Sequence, residues 1–112
     1  MTPQVPEADW KLFRKLREAG LEQFCARVLD EVDSVRRDDS RSHRERHGAI
    51  FALLRKRDRE LARAFDAPRR SQMIWQLAAM VALDLVPPEE LARFTPETRS
   101  LVEQLTQLRR RK

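Results

Sequence analysis

Glycine is scarce in this chain of 112 residues, which contains only Gly20 and Gly48. Glycine usually makes up about 7% of a protein and serves wherever a turn needs a positive φ. The shortage excludes glycine-rich phosphate loops and glycine-flanked serine nucleophiles, and with them the common nucleotide-binding and hydrolase motifs. It also favours long helices, and no strand-like alternation of apolar and polar residues persists along the chain.

Cysteine occurs once, at Cys25, so the chain has no internal disulfide. Cys25 lies in an apolar helical stripe, which predicts a small buried hydrophobic residue. No histidine stands at a distance that would predict a catalytic pair with this thiol. The first nine residues have neither the basic start nor the apolar run of a secretion signal, so the expected location is cytoplasmic.

Charge is missing from one stretch, residues 71–83, although charged residues make up 37% of the chain. At 100° per residue, its apolar side chains point to every side of a helix, which predicts that neighbouring elements enclose it. The stretch is shorter than the roughly 20 apolar residues that cross a bilayer. It is therefore predicted to be the central helix of a small soluble bundle.

Local start and stop signals predict an all-α fold, a small bundle of four to five helices in one domain. Ser42 and Glu45 have the spacing of a capping box, and several prolines stand where helices begin. The apolar stripe of the first helix continues through Gly20, which predicts one helix, and a bend or break at Gly20 is the alternative because glycine is unfavourable inside a helix. The expected helices span residues of about 7–36, 43–65, 68–84, 88–94 and 96–109, with a flexible arm at 1–6 and a basic tail at 109–112.

Two arginines project from apolar sides of the predicted helices. The stem of Arg17 is expected to lie along the apolar stripe of the first helix, while its guanidinium reaches water. Arg57 lies inside the apolar arc of the second helix, and Asp84 is the first carboxylate after the uncharged stretch. We predict that Asp84 pairs with Arg57 or Arg17, because a partner would neutralise a partly buried charge.

The net charge of +5 is unevenly distributed, since residues 36–70 alone carry 12 basic and 6 acidic side chains. This positive surface is consistent with nucleic-acid binding, because arginine contacts phosphates well. Interleaved carboxylates, and the lack of aromatic side chains in the basic row, favour a merely solvated face. The hypothesis of nucleic-acid binding uses Arg55, Arg59, Arg63, Arg69, Arg70, Arg109, Arg110 and Arg111.

His43 and His47 are four residues apart on one side of the second helix, the spacing at which two imidazoles can share a metal ion. Their sequence, His-Arg-Glu-Arg-His, differs from the His-Glu-x-x-His pattern of zinc proteases, and Arg44 and Arg46 would repel a cation. We expect two ordinary histidines, no metal site and no cofactor. Because no nucleophile, base and anion donor can be assembled, the chain is expected not to be an enzyme.

The function expected from these patterns is that of a small cytoplasmic adaptor or regulatory module that binds a protein partner or a second copy of itself. Trp75, Ala79 and Ala82 share one side of the central helix, and tryptophan beside small residues makes a docking surface for a partner. The alternative is that the first and last helices cover this side. No membrane contact and no small-molecule substrate are expected.

Overall fold

The computed structural model describes the backbone of residues 5–110 and the side chains through residue 108. Five α-helices and no strand occur in this part of the chain, which confirms the predicted all-α fold. The helices are α1 (Glu7–Arg36), α2 (His43–Phe65), α3 (Met73–Ala82), α4 (Pro88–Leu91) and α5 (Pro96–Arg110). Within the same residues, no helix combines the length and hydrophobicity that crossing a bilayer demands. Most of the arm expected at 1–6 and the tail expected at 109–112 lie outside the described side chains.

The first helix is continuous through Gly20, so α1 neither breaks nor ends there. Gly20 is buried, and a Cβ at this position would lie 2.9 Å from the Cε of Met80 on α3 and 3.7 Å from the Phe65 ring on α2. Three helices therefore meet at this residue. The cost of glycine inside a helix, about 1 kcal/mol relative to alanine, is offset by the close approach that it permits.

The second helix begins at the predicted capping box. The Glu45 amide donates to Ser42 Oγ at 3.0 Å, and the Ser42 amide donates to Glu45 Oε1 at 3.0 Å. The helix ends at Phe65, where Asp66 adopts an extended conformation and Ala67 takes a positive φ of 44°. The chain therefore turns before Pro68. α1 and α2 pack against each other as a helical hairpin.

The third helix starts later than the predicted helix of residues 68–84. Because Ala67 is left-handed and Arg69 is extended (φ −134°, ψ 147°), Pro68 does not open a continuous helix. A 3₁₀ turn at Arg70–Gln72 leads instead into α3 at Met73. The prediction that the third helix begins at residue 68 is therefore wrong by five residues.

The third helix also ends earlier than predicted, at Ala82, in a Schellman motif. The amide of Leu85 donates to the carbonyl of Met80, and the amide of Asp84 donates to that of Val81. Asp84 takes the left-handed position with φ 57°, a place usually held by glycine but tolerated by aspartate. Arg27 on α1 reinforces this end by donating to the carbonyl oxygens of Leu83 and Asp84, at 2.7 and 2.8 Å.

The fourth helix covers only Pro88–Leu91, although residues 88–94 were predicted to be helical. Two hydrogen bonds between residues three apart follow it, from the Arg93 amide to the Glu90 carbonyl and from the Phe94 amide to the Leu91 carbonyl. These bonds turn the chain so that the Phe94 ring enters the core, where it is buried. The last helix, predicted at 96–109, is present as α5 (Pro96–Arg110).

The uncharged stretch forms the centre of the bundle, as predicted. α3 packs against α1, α2 and α5, and its Met73, Leu77 and Met80 have no exposed surface. The prediction that neighbours enclose this helix on every side is wrong at one residue, because 52% of Trp75 is exposed. The rest of the core consists of Phe13, Phe24, Ala64, Phe65, Ala78, Ala79, Leu85, Val86, Phe94 and Val102.

The hairpin of α1 and α2 extends well beyond this core. No residue from 25 to 63, a part that we call the distal hairpin, is fully buried. The molecule is accordingly elongated, with extents of 52, 26 and 24 Å. In the distal hairpin each of the two helices covers only one side of the other, so apolar residues on the remaining sides contact solvent.

Candidate interaction surfaces

Trp75 borders an apolar groove between α3 and α5, with a volume of about 200 Å³. Half of its lining residues are aliphatic, and the exposed Arg70, Ser71 and Gln104 place polar groups at its rim. We call this site the Trp75 groove. It is lined by Val5, Arg70, Ser71, Ile74, Trp75, Leu101, Gln104 and Leu105.

The three residues predicted to form a docking surface have different environments. Trp75 is exposed, Ala82 is half-buried and Ala79 is only 4% exposed. Ala79 is therefore covered by its neighbours and cannot contact a partner. Leu101 and Leu105, which were absent from the predicted surface, replace it as neighbours of Trp75, because α5 lies alongside α3.

The predicted basic row lies on the outer side of α2. Arg55, Arg59 and Arg63 are exposed, and none of them forms an ion pair among the described side chains. Arg55 is close to an aromatic ring, because its guanidinium carbon lies 5.7 Å from the centroid of Phe51. The sequence prediction had placed no aromatic side chain with this row.

The other arginines of the nucleic-acid hypothesis lie outside α2 or beyond the described side chains. Arg69 is exposed, whereas Arg70 pairs with Glu7 and stacks over the Trp10 ring, 5.8 Å from its centroid. The side chains of Arg109, Arg110 and Arg111 lie outside the described residues.

His43 and His47 are both exposed and line a shallow pocket with Arg36, Arg46 and Ile50. Two cationic side chains therefore surround the imidazoles. Among the side chains that the structure describes, no group of three or more histidine, cysteine, aspartate or glutamate residues could hold a metal ion. We propose no metal site there.

A second groove of about 210 Å³ lies along the distal hairpin, between α1 and α2. Cys25 lines this groove and is half-buried, so the prediction of a buried thiol is wrong. Among the described residues, no third element covers this side of the hairpin. Leu29 lines the same groove and is 64% exposed. The other lining residues are Phe24, Val28, Arg57, Asp58 and Leu61.

The predicted pair between Asp84 and Arg57 or Arg17 is not formed. Arg57 donates a bidentate pair of hydrogen bonds to the Glu31 carboxylate on α1, at 2.9 and 2.8 Å, and a third hydrogen bond to Glu60 at 2.6 Å. Arg17 donates from Nη2 to the carbonyl oxygen of Phe65 at 2.6 Å, so its guanidinium caps the end of α2 and does not reach freely into water. The predicted pairing was wrong because helical periodicity shows on which face of a helix a residue lies, but not which residue of a neighbouring helix it contacts.

The contact between Glu31 and Arg57 should make the stability of the hairpin depend on pH. The hydrogen bond from Arg57 lowers the pKa of Glu31 below its ordinary value of 4.5. A lowered folded-state pKa means that the stabilisation is complete above the ordinary value and disappears as the pH falls through the folded-state pKa.

A double-mutant cycle of Glu31→Gln and Arg57→Met should give a coupling of about 1 kcal/mol or less near pH 7, because both side chains are partly exposed. Urea denaturation over a series of pH values measures it. The coupling should vanish in acid, and a cycle of Arg57→Met with Asp84→Asn should show none at any pH. A coupling that persists unchanged in acid would contradict the assigned pair.

A buried carboxylate joins the start of α1 to the start of α5. Asp9 is 1% exposed and accepts three hydrogen bonds. They come from the Thr95 amide at 3.1 Å, Thr95 Oγ1 at 2.7 Å and Thr98 Oγ1 at 2.6 Å. Asp9 also lies in the first turn of α1, where the helix dipole favours a negative charge. Nothing in the local pattern identifies a partner 86 residues away.

Comparison with protein-family models, curated proteins and solved structures finds no significant match to this chain. The surfaces described above are therefore the basis for any statement about function.

Proposed function

We propose that the chain is a helical protein-interaction module that binds a partner through the Trp75 groove and has no catalytic activity. The observation that supports this function is a tryptophan, 52% exposed, beside an apolar groove of about 200 Å³. Tryptophan contributes more than most residues to binding energy, because it buries a large rigid surface on association. A partner that covered Trp75 would remove this exposed apolar area from water.

The chemistry of the groove indicates what kind of segment fits it. Ile74, Leu101 and Leu105 can contact an inserted aliphatic or aromatic side chain. Ser71 and Gln104 at the rim can form hydrogen bonds with polar groups of the same segment. One face of an amphipathic helix, with an apolar anchor and polar flanks, has this combination of properties.

The test is a pull-down from the native cells with the tagged wild-type chain and with Trp75→Ala, followed by quantitative mass spectrometry. A partner that uses the groove should bind Trp75→Ala at least about 30-fold more weakly, the expected loss for an anchor residue. Leu108→Ala, a truncation at a comparably exposed apolar residue that does not line the groove, is the matched control and should retain the partner. Equal recovery by wild type and Trp75→Ala would contradict the proposal.

Nucleic-acid binding is the second candidate, and the exposed, unpaired row of Arg55, Arg59 and Arg63 is the observation that favours it. The pull-down is therefore divided into nuclease-treated and untreated halves. Partners lost after nuclease treatment, and bound less as salt concentration rises, would support this second function. Partners that resist nuclease and depend on Trp75 support the first.

A further inference from the structure

The distal hairpin has an apolar face that nothing in the described chain covers. The apolar residues of this face are Cys25, Val28 and Leu29 on α1, which line the hairpin groove together with Leu61 of α2; the charged Arg57 and Asp58 line the groove as well. Phe51 and Leu54 precede Leu61 by ten and seven residues, so all three lie on the same side of α2. Phe51 is 60% exposed and Leu54 39%. We call these six apolar residues the hairpin face.

We propose that the hairpin face binds the hairpin face of a second copy of this chain, so that the two hairpins form a four-helix bundle in which α1 of one copy lies against α2 of the other. A two-helix layer cannot enclose an apolar face by itself, whereas two such layers can bury both faces between them. This interface is separate from the Trp75 groove, and the proposal does not depend on the proposed function.

The distribution of charge indicates that a second copy fits this face. Residues 18–35 of α1 carry five carboxylates and one arginine, whereas residues 44–63 of α2 carry seven basic and three acidic side chains. The lone arginine of the α1 segment, Arg27, is already bonded to the end of α3. A two-fold axis parallel to the hairpin would place the acidic helix of each copy opposite the basic helix of the other, so that the charges attract.

The side of the distal hairpin that carries the hairpin face is similar in size to what a stable dimer buries. The part of α2 from residue 43 to residue 61 is about 28 Å long, and two adjacent helices are about 20 Å wide. The resulting flat area of about 550 Å² underestimates the corrugated surface and is of the same order as the roughly 800 Å² per partner in standard interfaces. One side of the distal hairpin is therefore large enough to hold two copies together.

Sedimentation velocity of the full chain, at concentrations up to about 100 µM, tests the proposal. The wild type should sediment as a dimer, with twice the chain mass of 13.3 kDa. Leu29→Arg should weaken the dimer at least about 30-fold, because a charge would enter the apolar interface. Leu108→Arg is the matched control, since Leu108 is 57% exposed on α5, and it should leave the dimer intact. Circular dichroism of both variants checks that the helices are retained.

Charge-reversal variants test whether the acidic α1 of one copy lies opposite the basic α2 of the other. Asp33→Lys on α1 and Arg55→Glu on α2 should each weaken the dimer, and the double variant should recover much of the loss, because both residues are exposed and lie at the same level of the hairpin, two residues beyond the contact between Glu31 and Arg57. A monomeric wild type, or a dimer that Leu29→Arg does not weaken, would overturn the interface. Single reversals without effect would overturn the arrangement of α1 against α2. Trp75→Ala should remain dimeric, which separates a failure of this proposal from a failure of the proposed function.

Discussion

Replacing Asp9 by alanine is expected to lower the free energy of unfolding by about 3 kcal/mol. Its carboxylate accepts three hydrogen bonds at the start of α5, in a place where no water can substitute because the residue is 1% exposed. The alanine variant would leave the Thr98 hydroxyl and the Thr95 amide without their acceptor. A carboxylate at a helix N-terminus is also favoured by the helix dipole, and that interaction is lost as well.

Urea denaturation of Asp9→Ala, Thr98→Val and Glu7→Ala measures this effect. Thr98→Val removes one of the three bonds and should cost about 1 kcal/mol. Glu7→Ala removes an exposed carboxylate from the same helical turn and should have a much smaller effect, because Glu7 and its partner Arg70 are both about half exposed. Equal destabilisation by Asp9→Ala and Glu7→Ala would show that the buried contact contributes little.

Replacing Leu77 by alanine is also expected to lower the free energy of unfolding by about 3 kcal/mol. Leu77 lies in the middle of α3 with no exposed surface, so truncation leaves a cavity between packed helices. Trp75 lies only two residues away on the same helix but is half exposed, and Trp75→Ala should therefore cost far less than Leu77→Ala. The two variants together compare the enclosed and uncovered sides of one helix.

The midpoints and slopes of urea denaturation followed by circular dichroism give both values. If Trp75→Ala destabilises the chain as much as Leu77→Ala, Trp75 is a core residue and its availability for a partner is in doubt. If neither variant is destabilising, α3 is not the centre of the core.

Features set by neighbouring residues could be predicted from the sequence. The capping box of Ser42 and Glu45 needs only a spacing of three, and the central helix is visible as a stretch without charge. The ends of α3 were less predictable. Its start depends on the left-handed conformation of Ala67, and its end on an aspartate in a position that favours glycine.

Features that depend on the register between distant helices could not be predicted. The partner of Arg57 is set by how α1 and α2 align, and the burial of Asp9 by where α5 begins relative to α1. The hairpin face did leave a signal, because Leu29 and Phe51 are apolar residues outside the predicted stripes of their helices. They widen each stripe to a second side, which indicates a contact beyond the partner helix of the hairpin.

The proposed binding role depends on the enclosure of the uncharged helix α3 by its neighbours, which leaves only the surface of the chain for contacts with a partner. Hydrogen exchange of the backbone amides of α3, measured by NMR, tests it most directly. We predict that the amides of Leu77–Met80 exchange only through global unfolding, with a free energy equal to that from urea denaturation. Exchange of these amides as fast as that of exposed chain would contradict the account.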